Sequence, residues 1–272
     1  MNKYIIKISL FCAAVAASNI SRADDADVDV VGPNGRSSIA ASIGYYKNQS
    51  DLIYRLSGEK AGYAQRTVDN FTTSGIYALN NKLSFTGSVQ YTFHDQNTFN
   101  WLGTTQTTEK TGNGGSLGLA ALLFGDQIEN GFALAGNAGI AKSEGSGAVY
   151  FAALQPQYRF SSTLLMSLNI GLRNQNSNTH STYAALNIVW RVAPKLSLVP
   201  SFAVSRFGAY DSYNSFQERT AALSATYHLS NDWSASASGS SNSFTDRRTF
   251  QYSNNFTNAS LSTYSLNVRR SF

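Results

Sequence analysis

Cysteine is nearly absent: the 272 residues hold one, Cys12, and it sits in an N-terminal stretch that reads as removable. Without a second thiol the chain has no disulfide framework, no thiolate metal site and no cysteine nucleophile. Charge is scarce, at 14% Asp, Glu, Lys and Arg, while aromatics make up 12%. That pairing excludes a disordered tail, which is rich in charge and poor in aromatics. Long apolar runs are missing, which excludes a helical membrane protein, whose spans need about twenty consecutive apolar residues. Histidine is limited to His94, His180 and His228. None stands at a metal-ligand or Ser/His/acid spacing, so no catalytic residue, metal or cofactor is expected. The glycine-rich "GPNG" and "GNGG" do not lie between a strand and a helix, and read as turn and loop material rather than phosphate cradles.

The start reads as a secretory signal peptide over 1–23. Lys3 and Lys7 form a basic head, Ile8 to Ala17 a short apolar core, and Ser21-Arg22-Ala23 a cleavage site before Asp24. A cut after Ala17 is the alternative. Removal of 1–23 leaves 18 Lys+Arg against 16 Asp+Glu, a net charge of +2. No basic patch interleaved with aromatics remains, so nucleic acid is not an expected partner. Residues 24–35 form an acidic segment with Asp24, Asp25, Asp27 and Asp29.

What is abundant is alternation. In "KLSFTGSVQYTFHD", residues 82–95, Leu83, Phe85, Val89, Tyr91 and Phe93 fall on one side of an extended chain, and Ser84, Thr86, Ser88, Gln90, Thr92 and His94 on the other. The stretch is about twice the usual strand length of five or six residues. The pattern recurs, and predicts about twelve strands over 36–47, 67–79, 83–94, 115–124, 131–142, 148–160, 164–173, 181–192, 196–207, 219–229, 233–243 and 257–272. Short turns alternate with longer polar connections, notably 48–66, 95–114, 174–180, 208–218 and 244–256. An even count with two unlike ends is the signature of a closed antiparallel transmembrane β-barrel over 36–272, with short periplasmic turns and longer extracellular loops.

The two faces agree with that. Apolar rows include Ile39, Ile43 and Tyr45; Leu117, Leu119 and Leu123; Leu164, Met166, Leu168, Ile170 and Leu172; and Leu186, Ile188, Trp190 and Val192. Opposite lie small polar rows such as Ser197, Ser201 and Ser205, or Ser234, Ser236, Ser238 and Ser240. Such rows suit lipid outside and water inside, and a sheet in lipid must close. Tyr77, Tyr158, Phe160, Trp190, Tyr227, Trp233 and Phe272 mark a girdle at the short-turn end, and Tyr45, Tyr91, Phe93 and Tyr150 mark the other rim. Pro156 and Pro200 fall inside predicted strands, and bulges are expected there.

By the same parity Arg159, Arg191, Arg269 and His228 face inward near the short turns and Arg173 faces inward near the other mouth, with no inward Asp or Glu. A cationic lumen concentrates anions. The alternative is that these arginines serve stability by pairing with Asp126, Glu129, Asp232 or the terminal carboxylate. The acidic tail is a candidate plug for the periplasmic mouth through attraction to the arginine ring; a solvated leader is the alternative. Arg206 and Arg219 fall on outward parity near the loop rim, placed for lipopolysaccharide phosphates or simply for solvent.

The expected function is a narrow outer-membrane channel for passive passage of small solutes, with anion preference, since twelve strands lie between the filled eight-stranded barrel and the open sixteen-stranded one. An export pore for a polypeptide and an outer-membrane hydrolase are the alternatives. His94-Asp95 is the one pair a hydrolase would use, and adjacent strand residues point to opposite faces.

The ending "YSLNVRRSF", with Tyr264, Leu266, Val268 and terminal Phe272 at alternate positions, resembles the C-terminal signal of Gram-negative outer-membrane proteins, which implies recognition by the barrel-assembly machinery. Arg270 departs from the apolar or aromatic residue usual there. Segments such as "SGIYALNNKLSFTGSVQY", "PQYRFSSTLLMSLNIGL" and "ATYHLSNDWSASASG" resemble the strand-turn-strand units of the meta-pathway phenol-degradation-type transporter-like barrels. That resemblance implies a channel for small apolar molecules or, in export relatives, for polypeptides.

Overall fold

The computed structural model describes residues 37–54, 59–125, 131–175, 179–208, 215–245 and 254–272. The predicted signal peptide and acidic segment lie outside them. Twelve antiparallel strands follow in chain order: β1 (Ser38–Tyr54), β2 (Lys60–Asn80), β3 (Leu83–Trp101), β4 (Thr104–Phe124), β5 (Gly131–Ser143), β6 (Val149–Ser161), β7 (Leu164–Gln175), β8 (Thr179–Ala193), β9 (Leu196–Phe207), β10 (Phe216–His228), β11 (Trp233–Thr245) and β12 (Asn254–Ser271). Each pairs with its sequence neighbours, and β1 pairs with β12 to close the barrel. The seam is laddered from Ser38↔Ser271 upward. Reciprocal bonds between the Ser37 and Phe272 backbones, at 3.0 and 2.9 Å, finish it at the short-turn end. With no strand edge left inside the band, no row of backbone donors faces hydrocarbon.

The predicted faces are those observed. Ile43, Leu117, Leu119, Leu168, Ile170, Leu172, Leu266 and Val268 lie exposed on the outer wall, an apolar surface too continuous for a soluble monomer. Tyr77, Tyr158, Phe160, Trp190, Tyr227, Trp233 and Phe272 are exposed at the short-turn end, and Tyr45, Tyr91, Phe93 and Tyr150 at the other rim. Tyr45 and Tyr264 stack across the seam at 6.4 Å. Arg270 lies outward opposite Trp233, with its guanidinium 5.5 Å from the indole ring. A cation over an aromatic face at the membrane boundary accounts for the departure at this position.

Three expectations are corrected. The segments 48–66 and 95–114 are mostly strand rather than connection: β1 to β4 run 17, 21, 19 and 21 residues. β5 reaches only Ser143 opposite Gly114, so Thr104–Asn113 ladder with β3 alone and carry one wall beyond the rest of the barrel. Their Thr, Gln and Asn content made them read as loop, yet polar strands form readily where both faces are wet.

Neither proline makes a bulge. Across Pro156 the partners Leu154↔Ile170 and Gln157↔Ser167 stay in step, as do Asn187↔Ser201 and Trp190↔Leu198 across Pro200. Each proline keeps its place on its other ladder, opposite Leu134 and Leu223 respectively. The missing N–H therefore costs a ladder bond on one side only, and the register absorbs it.

A bulge does occur in β3. Asp69 pairs with His94 and Asn70 with Thr92, so Phe93 is an extra residue. Above it the parity of β3 is reversed. His94, expected on the inner face, is paired with outward-parity Asp69, and Asp95 turns into the barrel.

Candidate functional site

The candidate site is the lumen, built from the inward residue of every second strand position. Small polar side chains dominate it because bulky ones would fill the cylinder. Ser84, Ser167, Ser197, Ser201, Ser205, Ser224, Ser236, Ser238 and Ser240 are all buried behind the wall. Some bond across strands: Ser88 to Ser116 at 2.7 Å, Ser238 to Ser265 at 2.6 Å, and Ser240 to Thr263 at 2.7 Å. Others have no protein partner, including the side-chain atoms Ser84 Oγ, Gln157 Nε2, Asn169 Oδ1, Ser197 Oγ, Ser201 Oγ and Thr226 Oγ1. Buried polar atoms are rarely left unbonded, so these positions mark a polar interior and not an apolar core. The inner wall is therefore polar, and its side chains are packed closely.

Its charges are partly as expected. Arg159, Arg191 and Arg269 lie on inward parity at the short-turn end, where Arg159 and Arg191 line one small cavity with Thr163, Leu165, Val189 and Ser197. Arg269 donates from Nη2 to Ser38 Oγ at 2.9 Å. His228 is inward as well, its backbone N–H donating to Lys195 O at 2.8 Å. Arg173 is buried in the outer half, its guanidinium 4.7 Å from the centre of the Tyr183 ring. Tyr183 in turn lies over Gly171, where an added Cβ would come within 2.5 Å of the ring. Only glycine leaves the wall thin enough for that ring to lie flat.

Two acids contradict the expectation of none. Asp95, turned inward by the β3 bulge, receives Arg66 Nε and Nη2 on separate oxygens, each at 2.7 Å, and Asn97 Nδ2 on Oδ1 at 3.2 Å. Glu218 is buried on the inner face of β10 and accepts a bond from Asn242 Nδ2. Arg66 and Asp95 were hidden in segments read as connections, and Glu218 lay one residue outside the predicted strand 219–229. Extending the alternation of β10 toward its N-terminus would have found Glu218; the other pair needed the bulge.

An apolar belt in the outer half was also missed. Tyr46, Val68 and Leu261 form one buried cluster with Phe244 packed against it. Phe244 lies 6.3 Å from Phe216, which stacks on Phe207 at 4.5 Å with planes 12° apart. The belt thus crosses β9, β10, β11, β12, β1 and β2 along the inside. Its counterpart near the short turns is smaller, formed by Leu165, Val189 and Val199.

The remaining expected residues separate from the lumen. Arg206 and Arg219 are exposed on the outer wall of β9 and β10. Tyr264, Leu266, Val268 and Phe272 are exposed on the outer side of the closing strand and its end. Asp24, Asp25, Asp27 and Asp29 lie outside the described residues. His94 and Asp95 do not act together, because the carboxylate is held inside by Arg66. Among the described residues no group of three or more His, Cys, Asp or Glu is placed to hold a metal ion.

No protein-family model matches the chain, and no curated protein matches it. Solved structures do. An outer-membrane channel from Pseudomonas putida F1 is 11% identical, with a TM-score of 0.58 over 89% of this chain and 97% of that one. The translocator domain of the autotransporter NalP from Neisseria meningitidis is 12% identical, with a TM-score of 0.56 over 97% of each chain. The KdgM porin, solved in complex with disordered oligogalacturonate, is 12% identical, with a TM-score of 0.51 over 85% of this chain and 99% of that one. The likeness runs the whole length of those barrels, and the chain has the fold of the outer-membrane β-barrels.

Proposed function

We propose that this barrel is an outer-membrane channel for passive passage of small polar solutes, with a preference for anions. The observation that carries the reading is the polar inner wall: rows of Ser, Thr, Asn and Gln, several with polar atoms that have no protein partner, inside a cylinder whose outer face is apolar. The charge balance supports the anion preference. Among the described residues five arginines face inward, Arg66, Arg159, Arg173, Arg191 and Arg269, and two acids, Asp95 and Glu218. Low-dielectric walls strengthen the field of that imbalance. The neighbour solved with a bound oligogalacturonate, a polyanion, is in keeping with it.

A channel accounts for the inner wall better than an enzyme does. The sequence-adjacent pair His94-Asp95 is split between the two faces, with His94 on outward parity and Asp95 held inside by Arg66. Export of a polypeptide is the second reading, favoured by the likeness to the NalP translocator domain. The C-terminal strand, with Tyr264, Leu266, Val268 and Phe272, serves assembly in either case.

Single-channel recording in planar bilayers under a potassium chloride gradient tests the proposal. Discrete steps with a reversal potential on the chloride side are expected. Absence of any step from correctly folded, heat-modifiable protein would end the channel reading.

A further inference from the structure

The outer rim is not uniform. Around the rim β1, β3 and β6 carry the outward aromatics Tyr45, Tyr91, Phe93 and Tyr150. On β9 and β10 the apolar band ends at Val204 and Ala221, and the next outward positions are Arg206 and Arg219. Arg206 is paired with Gln217 and Arg219 with Val204, so the two arginines are diagonal neighbours on one face. Diagonal neighbours have Cα atoms about 7–8 Å apart, well within reach of two long side chains meeting at one point. Like charges so close repel unless an anion lies between them. Neither arginine makes an ion pair among the described residues, and β8 to β11 carry no outward acid among them, Glu218 being inward. Hydroxyls surround the pair: Thr182 opposite Arg206, and Ser243 opposite Arg219. Behind them the stacked Phe207 and Phe216 rings brace the two strands.

We propose that Arg206 and Arg219 form a binding site for the phosphate of an outer-leaflet lipid headgroup, the lipid A phosphate of lipopolysaccharide. The depth selects the ligand. A site on the outer wall, one pleat above the hydrocarbon boundary, meets headgroups before it meets any solute passing through the lumen. Guanidinium forks match phosphate oxygens in a bidentate way, and each such bond is charge-assisted. Thr182 and Ser243 supply further donors to the same face. The proposal rests on the outer-membrane placement of the barrel and not on its being a channel.

The test uses the full-length processed protein refolded into phosphatidylcholine vesicles, with lipopolysaccharide, with dephosphorylated lipopolysaccharide, or with inorganic phosphate in the buffer. Thermal unfolding is followed by the loss of heat-modifiable migration. Phosphorylated lipopolysaccharide is expected to raise the melting temperature of the wild type, and the dephosphorylated form and inorganic phosphate are not. In native mass spectrometry from detergent, Arg206→Ala/Arg219→Ala is expected to bind lipopolysaccharide about ten-fold or more weakly than the wild type, while its single-channel current is unchanged. An equal shift from dephosphorylated lipopolysaccharide overturns the proposal using the wild type alone, whatever the folding yield of the variant. An equal shift from inorganic phosphate overturns it in favour of a free-anion site, and full binding by the folded variant overturns it directly. Loss of channel current would bear on the channel reading and leave these outcomes standing.

Discussion

Arg66 and Asp95 are 29 residues apart in sequence and lie side by side on the inner wall, joined by two parallel bonds of 2.7 Å with both side chains almost fully buried. The geometry exists because Phe93 is extra in β3 and shifts the next residues by one face. Removing one member leaves the other as a buried, uncompensated charge, which typically costs about 3–5 kcal/mol. Arg66→Met and Asp95→Leu are each expected to lower the urea midpoint of the barrel in vesicles accordingly. The double variant is expected to recover most of the loss, since an apolar pair in the same volume is often no worse than the ion pair. Singles that unfold at the wild-type midpoint would show that the pair adds nothing to stability.

The apolar belt predicts a change in current. Tyr46, Val68, Leu261, Phe244, Phe216 and Phe207 place hydrocarbon where the rest of the lumen offers hydroxyls and amides. Apolar constrictions resist wetting, and ions do not cross dry passages. Tyr46→Ser with Phe216→Ser is expected to raise single-channel conductance. It should also lower stability, by about 3–5 kcal/mol for the lost phenyl ring. Unchanged conductance in folded protein would place the limiting constriction elsewhere.

Most of the barrel was legible because a transmembrane strand must show its two environments in every other residue. Leu164, Met166, Leu168, Ile170 and Leu172 sit on the outside as read, and Ser197, Ser201 and Ser205 on the inside. Alternation fails where both faces meet water, and so β1 to β4 ran on through 48–66 and 95–114 without an apolar row to mark them. It fails also at a bulge, because period two carries no signal that one residue has been added. His94 is misplaced by one face for that reason alone. The belt was partly readable: Phe207 continues the inward row of Ser201 and Ser205, but its partner Phe216 lay in a segment taken as loop. Which inward residues meet across the lumen depends on the stagger of the ladders, and that is a tertiary property.

The inward arginines predict selectivity. Arg159, Arg191 and Arg269 crowd the short-turn mouth and Arg173 stands nearer the outer one. Replacing the three inner arginines by Gln removes three positive charges from a wall of low dielectric and leaves its shape nearly intact. The reversal potential in a potassium chloride gradient is expected to move toward the cation value. Arg173→Gln should shift it less, because Glu218 and the Arg66–Asp95 pair share that half of the lumen. A reversal potential that ignores all four substitutions would assign these arginines to stability.

Leu168 and Asn169 are consecutive on β7, and the pleat sends one to the outer wall and the other to the lumen. Leu168 is the middle member of the outward row from Leu164 to Leu172, so it stands near the bilayer midplane. A charged side chain there costs about 2–4 kcal/mol in a transmembrane barrel, and little at the interfaces. Leu168→Arg is expected to destabilise the refolded protein by that amount, and Leu172→Arg, nearer the rim, by less. Asn169→Ser keeps a small polar group against lumenal water and should stay within about 1 kcal/mol. Urea titration in phosphatidylcholine vesicles measures all three. In a soluble β-sandwich the apolar face would be the core, and both arginine variants would fail to fold while depth would not matter. A graded cost along the Leu164–Leu172 row therefore separates lipid from protein as the medium that the outer wall faces.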